Sequence, residues 1–283
     1  MSYDYWNKRT NNILNKKPDI DDISLSFYKG FPLWFNKLVA RIKDKTLMKL
    51  LKHIHPIDKL SVLDIGCGSG RYVKILSDLG ANVTGIDISR SIIERCKHKF
   101  PNITFFNSSL QKFDQELYKF DLILSSTTLQ HIPDNEKKVA FKKISRLLKD
   151  SGSLLIIENQ LDHSEHIQGL SAKNWANLGK EAGLVPRIII PSDHRHLIIL
   201  TFKVINIIDY FLSLKFLNLH KKTESKNIYS NQSFKGLAFL SVLRVSVFFS
   251  YFFEPIFQRL LPISLARHVG ILFEKKSDPE SQV

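Results

Sequence analysis

Val62-Leu63-Asp64-Ile65-Gly66-Cys67-Gly68-Ser69-Gly70 is the stretch on which the fold of this 283-residue chain turns. The apolar run from Ser61 to Ile65 reads as a short buried strand. The glycines that follow let backbone come close to a ligand before a helix begins, which runs through Leu79. Alone, such a loop is a weak signal, because dinucleotide-binding proteins use similar ones.

The pattern around it is more specific. Strands are predicted at Asn82–Asp87, Ile103–Phe106, Phe120–Ser125, Ser153–Ile157, Leu184–Ile190 and Arg267–Glu274. Helices are predicted at Arg90–Phe100, at Asn135–Leu148 with its stripe of Val139, Ile144, Leu147 and Leu148, and at Ser171–Ala182, closed by Gly183. This alternation predicts an α/β fold, a seven-stranded mostly parallel sheet with helices on both faces. Ligands in such sheets sit beyond the carboxyl ends of the strands. Ahead of the core, Trp34–Ile54 has helical spacing, so residues 1–57 are expected to form an N-terminal helical leader. The core is then residues 58–190 with 267–276, and residues 191–266 form a helical insertion before the last strand.

Two carboxylates decide which ligand the loop suits. Asp64 ends the first strand, and Asp87 ends the second, 17 residues after Gly70. A carboxylate at Asp87 is placed to accept hydrogen bonds from both ribose hydroxyls. Asp64 would repel a pyrophosphate but suits a cationic amino-acid group, which favours S-adenosyl-L-methionine over NAD.

These residues, with Gly85-Ile86-Asp87-Ile88-Ser89, Phe120 to Ser125, Leu129-Gln130-His131-Ile132-Pro133 and Leu154 to Glu158, closely resemble the class I S-adenosylmethionine-dependent methyltransferase family. The resemblance covers residues 60–190 and the final strand, and implies a Rossmann-like fold. It implies that Gly66, Gly68 and Gly70 hold the methionine part, that Asp87 and the adjoining Ile88 hold the ribose, and that Asp64 supports the loop. Ser125-Ser126-Thr127 would border the methyl donor. One departure stands out: where the family often has an aspartate for the adenine amino group, this chain reads Asn107-Ser108-Ser109, so Ser109 or Ser108 must serve.

For the acceptor side the sequence offers candidates. His131 and Glu158 are the candidate catalytic bases, each with a competing structural reading as a helix-start residue or a loop orienter. His163 and His166 fit a solvated loop better than a metal site, so no metal is expected. Tyr3, Tyr5 and Trp6, with Tyr28, Phe31, Trp34 and Phe35, either close over the cofactor or pack on the core.

The net charge of +14 and 43% hydrophobic content describe a chain with a large core and an affinity for anions, or merely a lysine-rich composition. Two cysteines exclude a disulfide framework and fit a cytoplasmic setting, and the amino terminus lacks a signal-peptide core. The insertion carries nine Lys and Arg against four Asp and Glu. Its apolar run Gly236–Phe253 would reach ~27 Å as a helix, short of a bilayer core of about 30 Å, and Arg244 interrupts it. An in-plane hairpin on an anionic membrane surface, a substrate cap and a homodimer interface all stay open, with peripheral membrane association ranked first. The expected acceptor is a small molecule, or one linked to a lipid or sugar, methylated on O or N. A nucleic-acid acceptor is disfavoured, because Ser125-Ser126-Thr127-Thr128 stands where base-methylating relatives carry an Asn or Asp-Pro-Pro motif. A non-catalytic scaffold is disfavoured by the intact loop and Asp87.

Overall fold

The computed structural model describes residues 2–17, 19–26, 33–54, 56–114, 119–160, 163–164, 166–194, 256 and 259–276. Most of the expected insertion therefore lies outside the described residues.

Three helices form the leader: α1 (Ser2–Lys16), α2 (Asp22–Ser26) and α3 (Leu33–Leu51). The core then runs β1 (Ser61–Ile65), α4 (Arg71–Asp78), β2 (Asn82–Asp87), α5 (Arg90–Lys99), β3 (Thr104–Asn107), β4 (Phe120–Ser126), α6 (Asp134–Leu147) and β5 (Leu148–Asn159). A small hairpin, β6 (His163–Ser164) with β7 (Ile167–Gln168), precedes α7 (Ala172–Glu181), β8 (Leu184–His194) and β9 (Ala266–Lys275). The sheet has seven strands in the order β3-β2-β1-β4-β5-β9-β8. The five strands from β3 to β5 are parallel, and β9 runs antiparallel to both β5 and β8.

Near-continuous apolar runs are what a sheet covered on both faces demands. Alternate residues divide between two cores. Val62, Leu122, Leu124, Leu155 and Ile157 meet α3, α4 and α5 through Leu47, Leu50, Val73, Leu76 and Ile93. Leu63, Ile123, Leu154 and Ile156 meet α6 and α7 through Phe141, Ile144 and Trp175. Trp175 is fully buried, and its indole N–H donates to the Asn159 carbonyl at 3.1 Å, so its one polar atom is satisfied.

The expected strands are all present, but β8 passes its expected end at Ile190. Pro191, Asp193 and His194 still pair with β9. Polar side chains hid this extension. Thr46 Oγ1 donates to Ser192 Oγ at 2.9 Å, and His268 donates to the Asp193 carboxylate from both its backbone N–H and ring Nδ1. The helix expected at Trp34–Ile54 stops at Leu51 and unwinds through turn hydrogen bonds at His53 and Ile54.

Candidate active site

The glycine loop lies where the parallel strands end. Gly66 and Cys67 both donate backbone N–H bonds to the Ile86 carbonyl, which ties the loop to the end of β2. Gly66, Gly68 and Gly70 hold φ of +68°, +51° and +79°. Gly66 is tighter than Gly70: a Cβ there would lie 2.2 Å from Thr128 Oγ1. A Gly66→Ala variant combines left-handed strain with that clash, so it is expected to lose about 2–4 kcal/mol of stability, read by urea unfolding.

Asp87 accepts from two backbone donors. One carboxylate oxygen accepts from Gly68 N at 3.1 Å and the other from Ser89 N at 2.8 Å. It therefore latches the loop to the start of α5, which the sequence reading did not anticipate. Burial raises its pKa, and the backbone donors oppose that rise. Asn107 Nδ2 pins the same turn by donating to the Asp87 and Ile88 carbonyls, both at 3.0 Å.

A cavity of about 350 Å³ opens over this loop, within the range of about 300–1,000 Å³ usual for small-molecule sites. Gly66, Gly68, Asp87, Ile88, Ser108 and Ser109 line it. Ser109 Oγ accepts from Lys112 N at 3.2 Å, starting the turn after β3. The remaining expected loop residues stand behind the wall. Gly70 is the N-cap of α4. Asp64 is 1% exposed, and its Oδ2 has no hydrogen-bond partner. Burial, then the charge of Asp87, push the Asp64 carboxyl up to about 8. Ser125 is fully buried and faces Glu158, so Ser126, Thr127 and Thr128 replace it at the cavity.

Glu158 requires a correction. It is fully buried and makes no part of the cavity wall. Oε1 accepts from Ser125 Oγ and from the backbone N–H groups of Thr128 and Leu129, and Oε2 accepts from Gln130 N. The three backbone donors belong to the 3₁₀ turn Leu129–His131 and its N-cap Thr128, and Ser125 donates from β4. A carboxylate so engaged anchors the turn that presents His131 and is not placed to take a proton from a substrate.

His131 lines the cavity. Its Nδ1 meets the His166 carbonyl, which only accepts, so Nδ1 carries the proton. Asn159 N donates to Gln130 Oε1 at 3.0 Å, turning the Gln130 amide nitrogen toward His131 Nε2 at 3.3 Å. Burial first, then the charges of Arg9 and Lys43, bring the ring down to about 4. The folded state thus keeps His131 neutral, and this contribution to stability is present above about 6.5 and lost as the pH falls toward about 4. In His131→Gln, unfolding free energy measured from pH 7 to 4 is expected to fall less steeply than in the wild type, by close to one proton.

The aromatic leader meets this site. Trp6, Arg9 and Thr10 of α1 contribute to the wall, Trp6 lies edge-on to His131 at 5.0 Å, and Tyr5 stacks on His166 at 3.7 Å. Asn7 ties α1 to the start of α5 through the Ile88 carbonyl and Arg90 N. Phe35 is buried and packs against Trp34, away from the cavity, while Tyr28, Phe31 and the side chains of Tyr3 and His163 lie outside the described residues. Sequence reasoning missed Lys43, Asn159, Arg267 and His268, which also line the cavity. Among the described residues no group of His, Cys, Asp or Glu has the arrangement of a metal site.

S-adenosyl-L-methionine fits this constellation. The cavity is large enough, the left-handed glycines leave a cradle, the Asp87 carboxylate lines the wall, and the unpartnered Asp64 oxygen lies beneath the loop. Residues 62–152 match the family model described as a methyltransferase domain. The ubiquinone biosynthesis O-methyltransferase of Coxiella burnetii is 33% identical over 97 residues, which are 33% of this chain and 41% of that protein. Among solved structures, the 1,6-didemethyltoxoflavin-N1-methyltransferase of Burkholderia thailandensis, with its acceptor and S-adenosylhomocysteine bound, shares the fold at TM-score 0.54 and 13% identity over 97% of this chain and 89% of that one. The [4+2]-cyclase SpnF shares it at TM-score 0.53 and 14% identity, over 83% and 81% of the two chains. Residues 62–152, about a third of the chain, are thus similar to a methyltransferase domain, the fold is shared with these solved structures, and the chain spans less than half the length of the first curated relative it matches.

Proposed function

We propose that the protein transfers the methyl group of S-adenosyl-L-methionine to an oxygen or nitrogen of a small-molecule acceptor. The observation that carries this reading is one cavity with the glycine loop and Asp87 at one side and the neutral His131 ring at another. Gly66, Gly68 and Asp87 would hold the methionine and ribose parts, with Ile88, Ser108 and Ser109 around the adenosine and Gly70 and Asp64 behind the loop. When bound, the cofactor supplies a methyl group already activated on a cationic sulfur. The chain's work is then to align the acceptor, exclude water and receive a proton. Ser126 to Thr128 border the transfer site, and Trp6 covers His131. With Nδ1 already protonated, the ring receives a proton at Nε2 once an acceptor hydroxyl displaces the Gln130 amide there, and at such low basicity it does so only as that oxygen gains positive charge during attack.

Titration of the purified chain with S-adenosylhomocysteine tests the cofactor half, and no binding by folded protein would sink it. Transfer of labelled methyl to fractionated small-molecule extracts tests the rest. Binding without transfer to any fraction would favour a non-methylating role, for which the shared fold of SpnF is the precedent. Labelling confined to the nucleic-acid fraction would favour the other alternative.

We also propose that residues 191–266 bring the enzyme to an anionic membrane surface from the cytoplasmic side, where lipid- or sugar-linked acceptors reside. The +5 charge and apolar runs of that segment support this. No helix among the described residues is long and apolar enough to cross a membrane. Flotation with phosphatidylglycerol vesicles is expected for the full chain and not for a form lacking residues 201–255. Equal flotation of both, or of neither, would count against it and favour a cap or homodimer interface.

A further inference from the structure

His268 lies near the start of β9, at the end of the sheet where the parallel strands finish. Its partners in register are Asn159 at the end of β5 and Asp193 near the end of β8. The residue is 1% exposed and lines the cavity. Asp193 Oδ1 accepts from its backbone N–H at 2.8 Å and from its ring Nδ1 at 2.9 Å. The pairing of β8 with β9 is irregular on both sides of Asp193, between Pro191 and Asp193 and again between Asp193 and His194. Irregularities of this kind re-aim a side chain, and here that side chain is the carboxylate that holds the ring.

The charge states follow from the surroundings. Burial by itself would raise the Asp193 carboxyl, but His268, Arg267 of β9 and Lys43 of α3 hold it below the usual carboxylate range. Asp193 is thus ionised and balances those two cations. Burial brings His268 down to about 4; attraction to Asp193 opposes this, and the charges of Lys43 and Arg267 add to it. At neutral pH the ring is therefore uncharged. An ionised carboxylate only accepts, so Nδ1 carries the proton and Nε2 the lone pair. The bond from Nδ1 is the ring's one hydrogen bond among the described residues. His131 differs, since the Gln130 amide already meets its Nε2 at 3.3 Å. Stability does not call for the pair, because a buried carboxylate and its partner are often no better than apolar residues of the same volume.

We propose that His268, positioned by Asp193, is a catalytic residue whose Nε2 takes the proton that an acceptor hydroxyl gives up as it is methylated. The proposal rests on the methyltransferase reading above, and it adds to His131 a second proton acceptor in the same cavity. As the acceptor oxygen bonds to the methyl carbon, the carbon–sulfur bond breaks and its electron pair stays on sulfur. The hydroxyl proton passes to Nε2, and the ring becomes an imidazolium whose charge the Asp193 carboxylate offsets. Asp193 is a positioning residue: it fixes which nitrogen bears the lone pair and does not itself take the proton.

The test uses His268→Asn in the full chain. The asparagine amide nitrogen stands where Nδ1 stood and still donates to Asp193, but nothing replaces Nε2. Transfer of labelled methyl is followed with the small-molecule fraction that the wild type labels, from about pH 6 to 8. The variant is expected to be slower by roughly a hundredfold or more, with a rate that climbs with pH because hydroxide must then take the proton. Its dissociation constant for S-adenosylhomocysteine, measured by calorimetry, should shift by less than about threefold. Nitrogen-15 NMR of the histidine-labelled wild type gives a reading independent of activity: at neutral pH His268 is expected as the neutral tautomer with its proton on Nδ1. A proton on Nε2 would overturn the proposal, whether or not His268→Asn folds. So would wild-type rate and pH dependence in the variant, or a loss confined to S-adenosylhomocysteine binding. A slower variant with the pH dependence of the wild type would likewise overturn it and leave His268 a structural partner of Asp193. If the wild type labels no fraction, the methyltransferase reading has failed and this proposal falls with it, whereas a negative result in the variant alone leaves that reading intact.

Discussion

Asp87→Ala is expected to weaken S-adenosylhomocysteine binding by roughly a hundredfold or more, about 3 kcal/mol, because two contributions disappear together. The first is the charged acceptor proposed for the ribose hydroxyls, worth about 1.5–3 kcal/mol per hydrogen bond to an ionised group. The second is the latch: Gly68 N and Ser89 N lose their acceptors, at 3.1 and 2.8 Å, and the loop that should cradle the methionine part loses its tie to the start of α5. Asp87→Asn separates the two. Its amide oxygen keeps one backbone bond and its nitrogen cannot accept the other, so binding should fall between wild type and alanine. Calorimetric titration of both variants, with thermal melts to register the latch, checks this. Binding within threefold of wild type in Asp87→Ala would show that the carboxylate does not face the cofactor.

Glu158→Gln is expected to cost about 2–4 kcal/mol of unfolding free energy, read by urea denaturation, although the substitution hardly changes volume. The carboxylate accepts from four donors, and the amide can present an oxygen to only one side. If that oxygen serves Ser125, Thr128 and Leu129, the amide nitrogen is driven against Gln130 N–H, donor against donor in a fully buried site. The same variant separates anchor from base. A base lost from Glu158 would lower kcat with the melting temperature unchanged. An anchor lost lowers the melting temperature and disturbs His131 through the turn, with some residual transfer surviving in protein kept folded at low temperature.

The ease of reading the core from sequence and the difficulty of reading the acceptor side have one cause. From Ser61 to Asp87 every signal is local: an apolar run, glycines at alternate positions, a carboxylate ending each strand. Glycine conformation and strand burial depend on near neighbours in the chain, so Gly66, Gly68 and Asp87 could be placed without knowing what packs where. Glu158 shows where locality stops helping. Its position at a strand end matches that of a reactive carboxylate, and nothing in Ile156-Ile157-Glu158-Asn159 reveals that three backbone N–H groups from residues 128–130 converge on it. Ser125 fails for the same reason: its neighbour Ser126 lines the cavity, and strand alternation, whose phase is set by the sheet's packing, buries Ser125 against Glu158.

The amino-acid sequence by itself determined the three-layer α/β fold, the order of its strands along the chain, and the cradle of Gly66 to Gly70 with Asp87. These follow from period, propensity and spacing within short windows. The tertiary structure alone decided which other groups line the cavity. Arg9, Lys43 and Arg267 are separated by most of the chain, and each reads in its own segment as an ordinary solvent-facing cation. They come to line one cavity with His131 only because α1, α3 and β9 meet there, which no local window of sequence records.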